Sequence, residues 1–271
     1  MTPRYSVVVL TLNEEENLPR CLRSAAGSDD LVVLDSGSTD RTVPIARDLG
    51  ARVFTRPFDN FAGQRNHATT AIPFRHPWVF HLDADETMTP ELHRECLAQA
   101  ARDDVDGFYV APRMLWNGRW VPHCTDYPAY QARFVRVPGF RFIEVGHGQR
   151  EAPEMRMERL QANYLHDMSA GGEADWLAKH RRYARAEARR FLAERDHFSW
   201  PDLFASDRLR RRRALKHASY FLPFRPAARF LYQYLLRGGL LDGRAGLQYC
   251  RLLARYEGFA AQELRNLQAE T

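Results

Sequence analysis

Val79-Phe80-His81-Leu82-Asp83-Ala84-Asp85 reads as an apolar strand that runs into two carboxylates. In extended backbone, residues i and i+2 project to the same side of a sheet, so the spacing predicts that Asp83 and Asp85 share a face. Two hard oxygen ligands at the C-terminal end of a strand suit Mg²⁺ or Mn²⁺ held jointly with substrate phosphates. A turn whose acids merely cap the next helix would look the same locally. The sequence upstream decides between them.

Ser6 to Leu12 is a continuous, largely β-branched apolar run, the pattern of a strand buried on both faces of a parallel sheet. Leu18, Cys21, Leu22 and Ala25 then recur at helical spacing. Leu31 to Leu34 is a second strand ending in Asp35-Ser36-Gly37-Ser38-Thr39-Asp40, a polar turn that caps a helix from about Arg41 to Leu49, which Gly50 stops. A short strand at Arg52 to Phe54, a helix at Ala62 to Ala71 and the strand Trp78 to Leu82 follow. Thr89 and Pro90 are N-cap and first residue of a further helix. This alternation predicts an α/β fold with a mostly parallel, Rossmann-like sheet and helices on both faces. Ligands in such sheets bind beyond the carboxyl ends of the strands. Asn13, Asp35 and Asp83 all follow strand ends and so are placed on one edge.

After Ala101 the pattern changes. Gly107 to Ala111 and Tyr130 to Val137 read as strands around a polar, aromatic-rich segment, and Glu173 to Glu194 as an amphipathic helix. Beyond Pro201 the chain is helical, basic and aromatic. The division expected is a catalytic domain over 1–172 and a helical, basic C-terminal extension over 173–271.

Composition narrows the function classes. A 45% hydrophobic, 12% aromatic chain of 271 residues folds around a core. Cys21, Cys96, Cys124 and Cys250 have no CxxC spacing and read as reduced thiols of a cytoplasmic protein. No signal peptide or membrane span is legible. The net charge of +5 is carried almost entirely by Arg, concentrated in Arg208, Arg210, Arg211, Arg212 and Arg213 with Lys216. The aromatic and aliphatic residues that follow suit an anionic membrane surface better than nucleic acid, which is not expected as a partner; a packed helical subdomain with a solvated basic face has the same pattern. There is no GxGxxG and no GxxxxGK[ST], so phosphate binding is expected to fall to a divalent metal.

Four blocks carry a resemblance: Val7-Val8-Val9-Leu10-Thr11-Leu12-Asn13-Glu14-Glu15-Glu16-Asn17-Leu18, Leu34-Asp35-Ser36-Gly37-Ser38-Thr39-Asp40, Gln64-Arg65-Asn66 and Leu82-Asp83-Ala84-Asp85-Glu86. In this order the chain resembles the family 2 glycosyltransferases, which have a GT-A-type fold. Gly146-His147-Gly148-Gln149-Arg150-Glu151 and Tyr164-Leu165-His166 resemble a bacterial subgroup that builds lipopolysaccharide core and other envelope glycans. The resemblance implies an inverting transfer from a nucleotide-sugar donor, UDP-linked, to a lipid-linked or envelope glycan acceptor; taken with the basic C-terminal region, the expected location is the cytoplasm, peripheral on the inner face of the plasma membrane. It also implies a donor pocket of Leu12, Asn13, Glu14 and Asp35, with Arg65 on the diphosphate and Asp83 on ribose or metal. Mn²⁺ or Mg²⁺ would be held by Asp85 and Asp83, with His166 as a third ligand. Relatives carry a His-Glu pair where this chain has His147-Gly148, so the base is displaced in sequence; Glu151 is the nearest acid downstream, and Glu144 and Asp126 are its rivals.

Two other readings compete. Asp83-Ala84-Asp85-Glu86-Thr87 also fits the nucleophile motif of haloacid-dehalogenase phosphatases, which need a later Lys and a further acidic strand end. Lys179 lies in an amphipathic helix, and no strand ending in paired acids follows it. A non-enzymatic membrane-surface adaptor is the other.

Overall fold

The computed structural model describes residues 4–145, 148–194, 199–220 and 224–269. The chain forms two compact units, one of residues 1–115 with 127–170, the other of residues 116–126 with 171–271. The elements run β1 (Ser6–Thr11), α1 (Leu18–Ser24), β2 (Leu31–Asp35), α2 (Thr42–Asp48), β3 (Arg52–Thr55), α3 (Phe61–Ala71), β4 (Trp78–Asp83), β5 (Glu86–Thr87) and α4 (Pro90–Gln99). There follow β6 (Gly107–Val110), β7 (Pro112–Trp116), β8 (Arg119–Trp120), β9 (Gln131–Arg136), β10 (Phe142–Val145), β11 (Gly148–Glu151), β12 (Met157–Arg159) and β13 (Tyr164–Asp167). The second unit holds the helices α5 (Gly172–Glu194), α6 (Arg208–Ser219), α7 (Arg225–Leu231) and α8 (Gly243–Ala269).

The main sheet has the order β12-β6-β9-β4-β1-β2-β3. β1 is central and parallel to both β2 and β4, and β2 is parallel to β3. Val7, Val8 and Val9 are all fully buried, as a strand covered on both faces requires. The period-2 alternation of β4 sends Trp78, Phe80 and Leu82 into the larger core with Leu18, Leu22, Phe108 and Phe134. Val79 faces the opposite layer, with Val8, Leu34, Ala68 and Ile72 under α3. His81 and Asp83 share that parity, which aims them at α3. β9 then enters antiparallel beside β4, Phe134 opposite Phe80.

Local chemistry fixes the helix starts. The Asn60 side chain accepts from Gly63 N at 2.6 Å, and Thr89 Oγ1 accepts from Leu92 N at 3.2 Å with Pro90 in the first turn. Two smaller sheets complete the first unit. β10 and β11 form an antiparallel hairpin with Phe142 opposite Glu151, and β13 runs antiparallel to β5 and parallel to β7.

At the amino-terminal edge, Asp30 is buried and accepts from Ser6 Oγ at 2.6 Å, Arg75 N at 2.9 Å and Arg52 Nη2 at 2.8 Å. Burial pushes its carboxyl up, but the Arg75 amide, Ser6 and Arg52 outweigh that and hold it below the usual range. A carboxyl depressed in the folded state stabilises above its unfolded pKa of about 3.9. That stabilisation is lost as pH falls below this value. Asp30→Asn is therefore expected to cost about 2 kcal/mol at pH 7 and to flatten the acid limb of the stability profile, measured by urea unfolding between pH 3 and 7.

The second unit is helical, and it takes in residues 116–126, which the sequence pattern alone assigns to the first. The reason is a set of buried anchors. Asp242 accepts from the backbone amides of His123 (3.1 Å) and Cys124 (2.8 Å), and Gln233 Nε2 donates to Cys124 O at 2.7 Å. Trp116 packs edge-on to Trp176, and buried Arg225 pairs with Glu257 at 2.7 Å.

Candidate active site

The end of β4 carries a cluster of buried ions. Arg65, on α3 and only 1% exposed, donates from Nη2 to Asp83 Oδ1 at 2.8 Å. Arg133, on β9, is likewise buried and donates from Nη2 to Asp83 Oδ2 at 3.1 Å and to Glu86 Oε1 at 2.8 Å. Glu86 Oε2 accepts from the Asp83 backbone N–H at 2.9 Å, closing the turn between β4 and β5. The antiparallel pairing of β13 with β5 sets His166 opposite Glu86, and Asp167 N donates to Asp85 O at 3.3 Å. His166 Nε2 thereby lies 3.3 Å from Asp85 Oδ2, and its Nδ1 lies 3.7 Å from Glu86 Oε1.

β4 ends at Asp83, so Asp85 sits in the turn and the i, i+2 rule stops short of it. The two carboxylates diverge, Asp83 towards the two guanidiniums and Asp85 towards the imidazole.

Charge is nearly balanced here. Burial pushes the Asp83 carboxyl up, but Arg133 and Arg65 overcome it and hold the group well below the carboxylate range. Glu86 is fully buried and must share Arg133 with Asp83; burial, joined by the Asp83 charge, pushes its carboxyl up. Burial lowers His166, but its hydrogen bond to Asp85 and the charges of Asp85, Glu86 and Asp83 push it up to about 9. His81 is buried below Arg65 and Arg133 and is held neutral, by burial first and by those guanidiniums second.

The donor-pocket residues expected from the sequence fall on the same sheet edge. Asn13 has φ +55°, a left-handed conformation that Asn tolerates better than most residues. Its Oδ1 accepts from Thr39 N at 2.8 Å, and its own N–H donates to Ser38 Oγ at 2.8 Å. The Glu14 N–H donates to Thr42 Oγ1 at 2.8 Å, and Leu12 is half exposed between them. Asp35 is buried and fully engaged. Oδ1 accepts from Thr11 Oγ1 (3.0 Å) and Ser38 Oγ (2.5 Å), Oδ2 from the amides of Gly37 (2.9 Å) and Ser38 (2.8 Å). These bonds lock the two loops after β1 and β2 together. Arg65 keeps Nε and Nη1 without a hydrogen-bond partner, donors that are buried and free in this state.

The candidate bases are dispersed. Glu151 ends β11, and its Oε1 accepts from Tyr109 Oη at 2.6 Å. The hairpin is tied to α3, since Asn66 Nδ2 donates to Phe142 O and Asn66 Oδ1 accepts from Phe142 N, each at 2.8 Å. Glu144 is exposed on β10. Asp126 belongs to the second unit, where Arg237 lies 3.3 Å away. His147 lies outside the described residues.

Among the described residues no three His, Cys, Asp or Glu side chains converge as a preformed metal cage. Asp85 and His166 supply one carboxylate oxygen and one imidazole nitrogen side by side, both about a quarter exposed. Mg²⁺ and Mn²⁺ are commonly held by one or two protein ligands, with substrate phosphates and waters completing the octahedron. The donor set fits such an ion.

Arg133 and Glu86 were not picked out from the sequence, although one signal was present. Gln131-Ala132-Arg133-Phe134-Val135 places a charge inside an apolar strand, and a buried guanidinium demands a carboxylate partner.

Residues 6–136 match the family model described as "Glycosyl transferase family 2". An uncharacterized glycosyltransferase of Rickettsia bellii is 36% identical over 96 residues, 35% of this chain and 32% of that protein. The lipopolysaccharide core biosynthesis glycosyltransferase LpsC of Rhizobium meliloti is 36% identical over 115 residues, covering 40% of this chain and 42% of that one. The chain spans about a third of the length of the first curated relatives it matches. The crystal structure of S. aureus TarS 1-349 aligns over 99% of this chain and 92% of that one, at 17% identity and a TM-score of 0.44. That score is too low to bear on function. The matched segment contains β1 to β4, both guanidinium partners of Asp83 and all four motif blocks. The likeness to glycosyl transferase family 2 thus rests on residues 6–136, just under half of this chain.

Proposed function

We propose that the protein transfers a sugar, with inversion, from a nucleoside diphosphate donor to a lipid-linked or envelope glycan. The observation that carries this reading is the meeting of Asp85 and His166 at the end of β4, beside an Asp83 fixed by two buried arginines. UDP is the preferred nucleotide, and the match to a lipopolysaccharide core enzyme supports the acceptor class. Asn13, Glu14 and the Asp35 turn shape the wall that receives the base. Arg65 is assigned to the diphosphate; in the protein alone it is buried against Asp83, so its role is to fix charge beneath the diphosphate. Asp85 and His166 would hold Mn²⁺ or Mg²⁺, which neutralises charge developing on the leaving diphosphate. His166 carries a proton between Asp85 and Glu86, and releasing it frees the nitrogen for the metal.

Glu151 is the proposed base. Tyr109 donates to its carboxylate, which orients one oxygen and leaves the other for an acceptor hydroxyl. Glu151→Gln keeps size and polarity but removes the proton acceptor, so turnover should fall about 10²-fold with donor affinity near wild type. Normal turnover in this variant, with Glu144→Gln or Asp126→Asn inactive, would move the base elsewhere. The protein is further proposed to work on an anionic membrane surface, to which the basic segment from Arg208 to Lys216 contributes.

The reading as a whole is tested by thermal shift against a panel of nucleotide sugars with Mn²⁺. One donor should raise the melting temperature, because a ligand that binds only the folded state stabilises it. No shift with any nucleotide sugar would count against the function.

A further inference from the structure

The stretch from Phe224 to Leu241 in the second unit is amphipathic in the inverted sense. Its exposed positions are Phe224, Ala227, Ala228, Leu231, Tyr232, Leu235, Leu236, Leu240 and Leu241, and each is apolar or aromatic. Up to Leu236 they recur at spacings of three and four, which is one face of a helix. The polar residues Arg225 and Gln233 of the same stretch are buried, and Arg229 and Arg237 are half-buried. Arg225 pairs with Glu257, Gln233 donates to Cys124 O, and Arg237 donates to Thr125 O at 2.9 Å. Inward-facing charge with outward-facing leucine reverses the ordinary arrangement of a surface helix. Leu236 is 81% exposed and Leu241 67%. Nothing in this stretch is long and apolar enough to cross a bilayer.

The two units differ sharply in charge. Residues 116–126 with 171–271 contain 21 Arg and Lys against 12 Asp and Glu, a net charge of +9. Residues 1–115 with 127–170 contain 18 against 22, a net charge of −4. A unit at +9 repels a second copy of itself and is drawn to an anionic surface. Arg244, exposed, stands three residues beyond Leu241 at the end of the apolar face. Arg210 and Arg211 are exposed on α6 of the same unit.

We propose that the outward face of residues 224–241 is a lipid-insertion surface that docks this unit on anionic membranes, leucines entering the acyl boundary and arginines at the headgroups. The docking element is then this apolar face, with the basic segment as its electrostatic aid. The proposal deepens the membrane-surface reading above and is independent of sugar transfer, since vesicle binding and turnover are read separately.

All four native cysteines are buried, so a thiol introduced at Leu236→Cys can be labelled selectively with an environment-sensitive fluorophore. The labelled full chain is titrated with vesicles of phosphatidylcholine alone and of phosphatidylcholine with phosphatidylglycerol. The expected result is a blue shift and several-fold brightening with the anionic vesicles only, weakened by salt. Leu235→Asp/Leu236→Asp, at two exposed sites, should keep the circular dichroism spectrum and lower the partition coefficient at least tenfold. An unshifted probe, or undiminished vesicle binding by the double variant, overturns the proposal. So does a shift that follows protein concentration without lipid, which would make the face a contact between copies.

Discussion

Asp85→Ala is expected to abolish nucleoside diphosphate release from the nucleotide sugar, by about 10³-fold or more, while leaving the fold intact. A metal that neutralises a leaving diphosphate supplies several kcal/mol of transition-state stabilisation, and 4 kcal/mol is about 10³ in rate. Asp85 lies in the turn after β4, about a quarter exposed, and its side chain faces His166 and not the core. Its removal therefore creates no cavity. The variant should also lose the dependence of activity on Mn²⁺. Retained metal-dependent turnover would show that Asp85 does not hold the ion. His166→Ala should be impaired in the same direction but less, since an imidazole is replaced at the ion more easily than a carboxylate.

Arg133→Met is expected to give the largest loss of stability, about 3–5 kcal/mol. One guanidinium there serves Asp83 Oδ2, Glu86 Oε1 and the His81 carbonyl, the last at 3.3 Å. Methionine fills part of the volume but leaves Glu86 buried without its hydrogen-bonded guanidinium, with only His166 at 3.7 Å beside it, and removing one partner of a buried pair costs that much. Asp83 is shielded from the worst of it because Arg65 remains and the carboxylate is partly exposed. At about 2–4 °C per kcal/mol for a chain of this size, the melting temperature should fall by roughly 6–20 °C. Combining Arg133→Met with Glu86→Gln should restore part of the loss, because the amide removes the stranded charge. Urea unfolding of the two single variants and the double measures the coupling; additive losses would mean that the pair is not coupled.

The strands β1, β2 and β4 were legible because burial on both faces leaves an uninterrupted apolar run, and the β-α alternation predicts that they run parallel, as they do. β9 was legible as a strand but not as an antiparallel neighbour of β4, since pairing partners leave no local signature. The short strands β10 to β13 were not legible. Gly148-Gln149-Arg150-Glu151 and Met157-Glu158-Arg159 are polar and too brief for a period to show. Their positions come from long-range contacts such as that of Asn66 with Phe142. The same limit applies to the site. Asp83 and Asp85 could be singled out by residue type and place, and His166 only through the family resemblance, whereas the sharing of Arg133 between Asp83 and Glu86 appears only when β9 is laid beside β4. The i, i+2 inference failed at Asp85 because Glu86 accepts from the Asp83 N–H and turns the chain there. The grouping of residues 116–126 with the helical unit was likewise invisible, because it depends on Asp242 reaching the amides of His123 and Cys124.

Calorimetric titration of UDP into the full chain, with and without Mn²⁺ and in parallel on Asp85→Ala, tests the central claim most directly. The proposed nucleotide-sugar site predicts saturable binding that strengthens at least tenfold with Mn²⁺ in the wild type and shows no metal effect in Asp85→Ala. Absence of UDP binding under all conditions, or an equal metal effect in both proteins, would contradict it.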